Sequence, residues 1–368
     1  MRFIHIADVH LGVEPDAGKP WSERRKKDIW MTFTEVFAVA KKMQVDLVLI
    51  AGDLFHRQPL VKDLRELNYI FEQVPEIRIV IVAGNHDFLS TTSNYRTFPF
   101  AKNVYFLKKN QIESVYFEDI NTEVYGMSYW HREESGTDYE EVLPKRKEAI
   151  NVLLAHGGDA RHLPFSPDKV LANGFDYLAA GHIHKGGVLE GNQADPKPLW
   201  DHRKITTMHA VMAGALEPTD SNDVGEHGFW IGEIMKEFIQ VQFCPMRRCQ
   251  YVHETIQVSS RMTNLAVQTI VQNLLTNRQP YELYKIFLKG SINADTEIDL
   301  DWIREQEAVV DVIVDLKPDY DYDRLKEEYH DMLLGRYISV MQGQEASSVC
   351  RKALEVGVDA LMNSRVEM

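Results

Sequence analysis

Apolar residues gather along this chain in short unbroken runs separated by stretches of helical spacing, and each early run stops at polar, chemistry-bearing residues. The clearest covers residues 77–83, where Ile77, Ile79, Val80, Ile81 and Val82 make the β-branched pattern of a strand buried on both faces. It ends in Gly84-Asn85-His86-Asp87, with glycine permitting a sharp turn at the carboxyl end. Residues 2–7 form a first such run and deliver Asp8-Val9-His10, followed by Leu11-Gly12; residues 46–51 form another and deliver Gly52-Asp53-Leu54-Phe55-His56. Between them Ser22 is placed to cap a helix whose apolar positions Ile29, Phe33, Val36, Phe37 and Ala40 recur at helical spacing, and a second helix is expected at about 61–73. This β-α-β-α-β order predicts a parallel or mixed sheet. Ligand sites in such sheets lie at the carboxyl ends of the strands.

The pattern continues with short alternating strands over 103–130, which suggest a second sheet stacked on the first, and a charged helix near 138–148. Residues 149–155 then deliver His156-Gly157, and the run from Phe175 to Gly181 delivers His182-Ile183-His184. Residues 186–245 read mostly as strand, interrupted by a polar loop with Pro196 and Pro198. The composition shifts between about 245 and 260. A smaller α/β domain follows, with a helix carrying Leu265, Ile270 and Leu274, a strand at 284–288, a short helix near Leu300, a strand at 309–314 and a helix from 323 to about 340. The domains expected are therefore 1–250, 255–343 and a C-terminal helical segment at 345–368. In that segment Val349, Ala353, Val356 and Ala360 share one face, as a closing core helix or as a docking surface for a partner.

At 368 residues with 44% hydrophobic content, the chain can fill two cores. No apolar stretch approaches the roughly 18 residues of a membrane span and no signal-peptide design opens the chain, so a cytoplasmic protein is expected. Cys244, Cys249 and Cys350 suit neither a disulfide framework nor a four-ligand zinc site. A net charge of −14 argues against coating nucleic acid by bulk electrostatics. Bound cations would offset carboxylates locally, however. Arg24-Arg25-Lys26-Lys27, Lys145-Arg146-Lys147 and Arg247-Arg248 are either solvated faces or parts of a phosphate path.

The residues delivered by the apolar runs are Asp8, His10, Asp53, Asn85, His86, His156, His182 and His184. Carboxylate, amide oxygen and imidazole together suit Mn²⁺, Fe²⁺ or Zn²⁺, whereas an all-oxygen set would favour Mg²⁺ or Ca²⁺. Such a set allocates naturally to two metals sharing one carboxylate, and Asp53, alone at the middle strand end, is the best bridge.

In order, Asp8-Val9-His10, Gly52-Asp53, Gly84-Asn85-His86-Asp87, His156-Gly157 and Gly181-His182-Ile183-His184 closely resemble the signature of the calcineurin-like binuclear metallophosphoesterases. That resemblance implies a four-layered α/β/β/α sandwich followed by a smaller C-terminal α/β capping domain. It implies one divalent metal on Asp8, His10, Asp53 and His184, another on Asp53, Asn85, His156 and His182, and a two-metal bridging-hydroxide mechanism. The metals would be Mn²⁺, with Fe²⁺, Zn²⁺ or Mg²⁺ as alternatives. His86 would donate to the phosphate or leaving oxygen, and Asp87 would orient its ring.

Within the superfamily, Leu11-Gly12, Leu54-Phe55-His56, Gly214-Ala215-Leu216-Glu217-Pro218 and Glu226-His227-Gly228-Phe229 resemble the DNA repair exonuclease branch, the SbcD-like subunits and their meiotic-recombination counterparts. His56 would contact phosphate or support the ligands. His227 departs from the more usual lysine. The branch implies a Mn-dependent DNA exonuclease or endonuclease in double-strand break repair, nucleoid-associated and homodimeric, partnered by an SMC-like, SbcC-type ATPase docking on the C-terminal segment. Two alternatives remain: a phosphodiesterase or phosphatase for a small ester, and a non-catalytic scaffold bridging ATPase and DNA.

Overall fold

The first apolar run forms β1 (Arg2–Ile6) in the computed structural model, which describes residues 1–136, 138–197, 207–246, 248–345 and 347–363. Parallel to it run β2 (Leu47–Ala51), β3 (Arg78–Val82) and β4 (Val104–Phe106), with α1 (Ser22–Lys42) and α2 (Val61–Glu72) as crossovers. Ile6 lies opposite Ile50, and Ile50 opposite Ile81, so three strands finish level with one another. A second sheet is built from β5 (Glu113–Phe117), β6 (Thr122–Gly126), β7 (Ile150–His156), β8 (Tyr177–Gly181), β9 (Gly187–Val188) and β10 (Ala210–Met212), in the order β5-β6-β7-β8-β10-β9. Its connections include α3 (Asp138–Glu141) and α4 (Pro167–Ala172). The chain then returns to the first sheet as β11 (His227–Met235) and β12 (Phe238–Met246), which extend it antiparallel beyond β1.

Strand alternation sorts the side chains into layers. Phe3, Leu47, Leu49, Val80 and Val82 share a buried core with Val124, Val152, Leu154 and Val211 of the second sheet. Ile4, Ile6, Val48, Ile50 and Ile81 face the other way, onto Phe33, Val36, Leu64 and Phe71 of α1 and α2. Leu153, Leu178 and Ala180 meet Tyr139 and Val170 on the outer face of the second sheet. The result is the expected α/β/β/α sandwich, and burial of each large apolar side chain stabilises it by roughly 1.5–3 kcal/mol.

Several local expectations are corrected. The helix expected near 138–148 is only Asp138–Glu141, because Pro144 lacks an amide hydrogen and disfavours helix at the residue before it; the Lys145 N–H donates instead to Tyr125 Oη at 2.7 Å. In the basic clusters Arg24, Lys27, Lys145 and Lys147 are exposed, as on a solvated face, but other members are committed to partners within the fold. Arg25 is fully buried, with Nη1 donating to Glu217 Oε2 at 3.1 Å and Nη2 to the Pro218 carbonyl at 2.8 Å, while Thr32 Oγ1 donates to Glu217 Oε1 at 2.7 Å. Arg146 pairs with the buried Glu123 at 2.9 Å and Arg248 with Glu35 at 2.6 Å. Arg247, Pro198 and Ala346 lie outside the described residues.

The chain divides into two compact units, Met1–Val252 with Tyr281–Leu283, and His253–Pro280 with Tyr284–Met368. A three-stranded sheet, most of whose residues belong to the second unit, orders β13 (Gln250–Val258), β14 (Glu282–Asn293) and β15 (Val309–Asp319), with α5 (Asn264–Thr276) and α6 (Leu300–Arg304) in the connections. The single helix expected from 323 to 340 is two, α7 (Tyr322–Glu328) and α8 (Leu333–Gln342). The break lets Leu325, Leu334 and Ile338 converge on Val358 of α9 (Ser348–Asn363). α9 therefore packs through Leu354, Val358 and Leu361, not through the stripe expected from the sequence, where Val349 and Val356 are exposed.

Removing one member of a buried ion pair leaves the other charge uncompensated, at a cost of about 3–5 kcal/mol. Glu217→Ala is expected to lower the unfolding free energy by about that amount in denaturant melts. A loss below about 1 kcal/mol would show that Arg25 finds compensation elsewhere.

Candidate metal centre

Because β1, β2 and β3 end level, Asp8, Asp53 and the Gly84 turn emerge side by side, and the pairing of His156 with Gly181 brings His156 and His182 out together from the second sheet. Four of these residues adopt left-handed backbone: Asp8 at φ 49°, His10 at 51°, Asp53 at 48° and His182 at 106°. Such strain, about 1–3 kcal/mol per residue, persists only where the surroundings over-determine it. Here the Asp8 N–H donates to the Gly52 carbonyl at 3.2 Å, the His10 N–H to the Asp53 carbonyl at 3.0 Å, and the His182 N–H to Asp8 Oδ2 at 2.9 Å. Gly84 is required because a Cβ there would collide with the Asp53 carboxylate and the His156 ring.

The ligand-type atoms of Asp8, His10 and His184 all lie within 4.8 Å of one another, and so do those of Asp53, His156 and His182. Asp53 Oδ2 stands between the two groups, 3.9 Å from His10 Nε2 and 3.5 Å from His156 Nε2. Asn85 Oδ1 joins the second group, 2.9 Å from His156 Nε2 and 3.1 Å from His182 Nδ1. In the first, His10 Nε2 and His184 Nε2 face each other at 3.0 Å. Two further groupings meet the same 4.8 Å limit: His10 with His56 and His86, and His182 with Asp159 and His162.

The charge balance tests whether these donors fit divalent cations. Burial pushes the Asp8 carboxyl up to about 6. Burial also opposes ionisation of Asp53, but the neighbouring His156 drives its carboxyl far below the usual range. In turn, burial opposes charge on His156, yet Asp53 lifts it to about 9; His184 likewise reaches about 9 against burial, through its hydrogen bond to Asp223 and the charge of Asp8. Without metal, protons on imidazoles supply the positive charge that the carboxylates demand. A cation that displaces those protons meets neutral nitrogens and ionised oxygens, the forms in which these groups act as ligands. The donor set fits.

The other expected residues divide. His86 sits on the rim, its ring 4.8 Å from that of His10 and 5.1 Å from that of His56, with Nδ1–H donating to the His56 carbonyl at 3.0 Å. Asp87 does not orient that ring. Its carboxylate turns inward and accepts from the Gly84 N–H at 2.9 Å, the Phe55 N–H at 3.1 Å and Tyr95 Oη at 2.9 Å, because successive residues of a tight turn point in different directions. Burial and the charge of Asp53 push its carboxyl up to about 6 against these donors. Sequence reasoning missed Asp159 and Asp223, whose carboxylates accept from His182 Nε2 at 2.8 Å and His184 Nδ1 at 3.0 Å, and no motif spacing marks either. It also missed Tyr129 and Tyr139, whose hydroxyls donate to the His156 carbonyl at 3.0 and 3.3 Å.

The family model for calcineurin-like phosphoesterases matches residues 1–186. Among similar proteins, the uncharacterized metallophosphoesterase YhaO of Bacillus subtilis is 25% identical over 260 residues, covering 66% of this chain and 60% of the relative. The DNA double-strand break repair protein Mre11 of Methanocaldococcus jannaschii is 32% identical over 199 residues, covering 50% and 52%. The protein of the same name from Archaeoglobus fulgidus is 29% identical over 220 residues, covering 52% and 47%. The matched stretches thus span about half to three-fifths of these relatives' own length.

Asp87→Ala would strand three buried donors, each costing about 1–3 kcal/mol when unsatisfied. Thermal and denaturant melts are expected to show a clear destabilisation, partly recovered in Asp87→Asn, which keeps one acceptor oxygen. A fully stable alanine variant would mean that water replaces the carboxylate.

Proposed function

The chain belongs to the calcineurin-like phosphoesterases, and from that membership we propose that it is a metal-dependent DNA nuclease hydrolysing phosphodiester bonds as an exonuclease or endonuclease. The observation that carries this reading is the convergence, at one set of strand ends, of two donor groups sharing Asp53, with His86 on the rim above them. Asp8, His10, Asp53 and His184 would hold one cation and Asp53, Asn85, His156 and His182 the other, with Mn²⁺ the metal we favour. Bound there, two divalent cations supply Lewis acidity and a strong oxygen nucleophile at neutral pH. His86, steadied through Nδ1 by the His56 carbonyl, would donate from Nε2 to the phosphate or to the departing oxygen. His56 lies beside it as a further phosphate contact.

DNA is favoured over a small ester because the Methanocaldococcus and Archaeoglobus relatives carry DNA double-strand break repair in their names. A small-molecule phosphodiesterase is the second reading, supported by the similarity to a metallophosphoesterase whose name specifies no substrate. The same reading includes action in break repair alongside an SMC-like, SbcC-type ATPase. We place that docking on α8 and α9, where Leu333, Val340, Val349 and Val356 are exposed. A homodimer through the nuclease domain and a cytoplasmic, nucleoid-associated setting complete it, and no helix among the described residues is long and apolar enough to cross a membrane.

The test is hydrolysis of linear duplex DNA, single-stranded DNA and bis-p-nitrophenyl phosphate with added Mn²⁺. Manganese-dependent DNA cleavage is expected, lowered by roughly 10²- to 10⁴-fold in His86→Ala while its bound metal is retained. Cleavage of the small ester alone, unchanged by adding the ATPase, would favour the second reading. Asp53→Ala is expected to lose tight binding of both metals, read by calorimetry; a variant that keeps both would remove Asp53 from the bridge.

A further inference from the structure

The two histidines of the Gly-His-x-His turn present opposite ring nitrogens to the centre. His182 turns Nδ1 toward Asn85 Oδ1, at 3.1 Å, and His184 turns Nε2 toward His10 Nε2, at 3.0 Å. A neutral imidazole carries one proton, and whichever nitrogen holds it cannot be a ligand. For each ring, the nitrogen pointing away from the centre meets a carboxylate from outside the motif: Asp159 Oδ2 lies 2.8 Å from His182 Nε2, and Asp223 Oδ2 lies 3.0 Å from His184 Nδ1. We infer that Asp159 and Asp223 are positioning residues that hold the proton on the outer nitrogen of His182 and of His184 respectively, so that each ring offers a lone pair to its own metal.

The two carboxylates are built differently. Asp223 is 13% exposed and fixed on its loop, since Thr219 donates to its Oδ2 from the backbone at 2.8 Å and from Oγ1 at 2.7 Å, while the His227 ring nitrogen Nε2 lies 3.1 Å from its carbonyl. His227 thus lies against the loop that carries Asp223. Asp159 is 50% exposed and divides its acceptance between His182 and His162 Nδ1, the latter 2.9 Å away. It also accepts the Arg161 N–H at 2.8 Å. His184 is therefore held by a carboxylate with a dedicated cradle. His182 is held by one that a second imidazole competes for and that water reaches, so Asp53, Asn85, His156 and His182 would hold the weaker of the two cations although the His182 ring is itself less exposed than that of His184.

This inference rests on the two-metal reading of the site, and Mn²⁺ binding to the full chain, measured by calorimetry without substrate, separates the two. The unaltered chain is expected to bind two equivalents, one more weakly. Asp159→Ala should weaken the weaker equivalent by about 10- to 100-fold and leave the tighter one in place. Asp223→Ala should weaken the tighter one. Asp159→Asn, whose amide oxygen still accepts the Nε2–H, should bind both nearly as the unaltered chain does; a merely structural loss would not be rescued this way. In a His182→Ala background Asp159→Ala should have no further effect on Mn²⁺ affinity, whereas in His184→Ala it should act in full. If Asp223→Ala fails to fold, Asp223→Asn carries the same comparison. Unchanged binding in Asp159→Ala, or an effect that persists undiminished in His182→Ala, overturns the assignment while leaving the two-metal reading intact. A chain that binds no Mn²⁺ overturns both.

Discussion

The carboxylate of Asp53 is 3% exposed and ionised, and the arrangement that makes this tolerable governs the rest of the site. A buried charge is costly unless neighbours compensate it. Compensation comes from three sides: the His86 N–H donates to Oδ1 at 2.8 Å, and the imidazoles of His156 and His10 stand over Oδ2. Each neighbour requires something of the backbone. His156 has to arrive from the other sheet, so the two sheets must stack with β2 against β7. Gly84 must lack a side chain so that the carboxylate and the His156 ring can close over it. Asp53 itself must turn left-handed, held by the bond from the His10 N–H to its carbonyl. The sandwich is the scaffold that satisfies all three demands together.

The fold and the donors were legible for a shared reason. Strands buried on both faces read as continuous apolar runs, and in such sheets chemistry sits where the runs stop. Asp8, Asp53, Asn85, His156 and His182 could be picked out because each follows a run directly. Asp159 and Asp223 could not. They lie in polar loops where an aspartate is unremarkable, and their partners are chosen by the loop's path in space. The inward turn of Asp87 was hidden by its adjacency to His86, and Arg25 by its place in a basic run. On α9 the apolar positions fall in two stripes, Val349 and Val356 on one, Leu354, Val358 and Leu361 on the other. Spacing alone does not say which stripe meets the core.

Solvent access at the site grades with depth. Asp8, His10, Asp53 and His156 form a floor without solvent, each fixed by backbone bonds as well as side-chain contacts. His86, His184 and Asp159 lie toward solvent, where an incoming phosphate would arrive. A buried floor with an accessible rim would suit a polymer lying across the site as well as a small ester entering it.

Among the described residues of the first unit, the charged clusters around Arg25 and around Asp53 are both buried, and the contrast between them is what marks one as a site. Around Arg25 the guanidinium is answered by Glu217, by the Pro218 carbonyl and by Asp28, and Glu217 is answered again by Thr32. There the buried guanidinium and the buried carboxylate are paired by groups of the fold itself. Around Asp53 two buried carboxylates accept the His86 and His182 N–H groups, but the positive charge beside them comes from imidazoles, groups that give up their protons once a stronger cation approaches. A cluster that is balanced by its own permanent charges holds a protein together. A cluster balanced by exchangeable protons, on strained backbone and beside an open rim, is a place where something else binds.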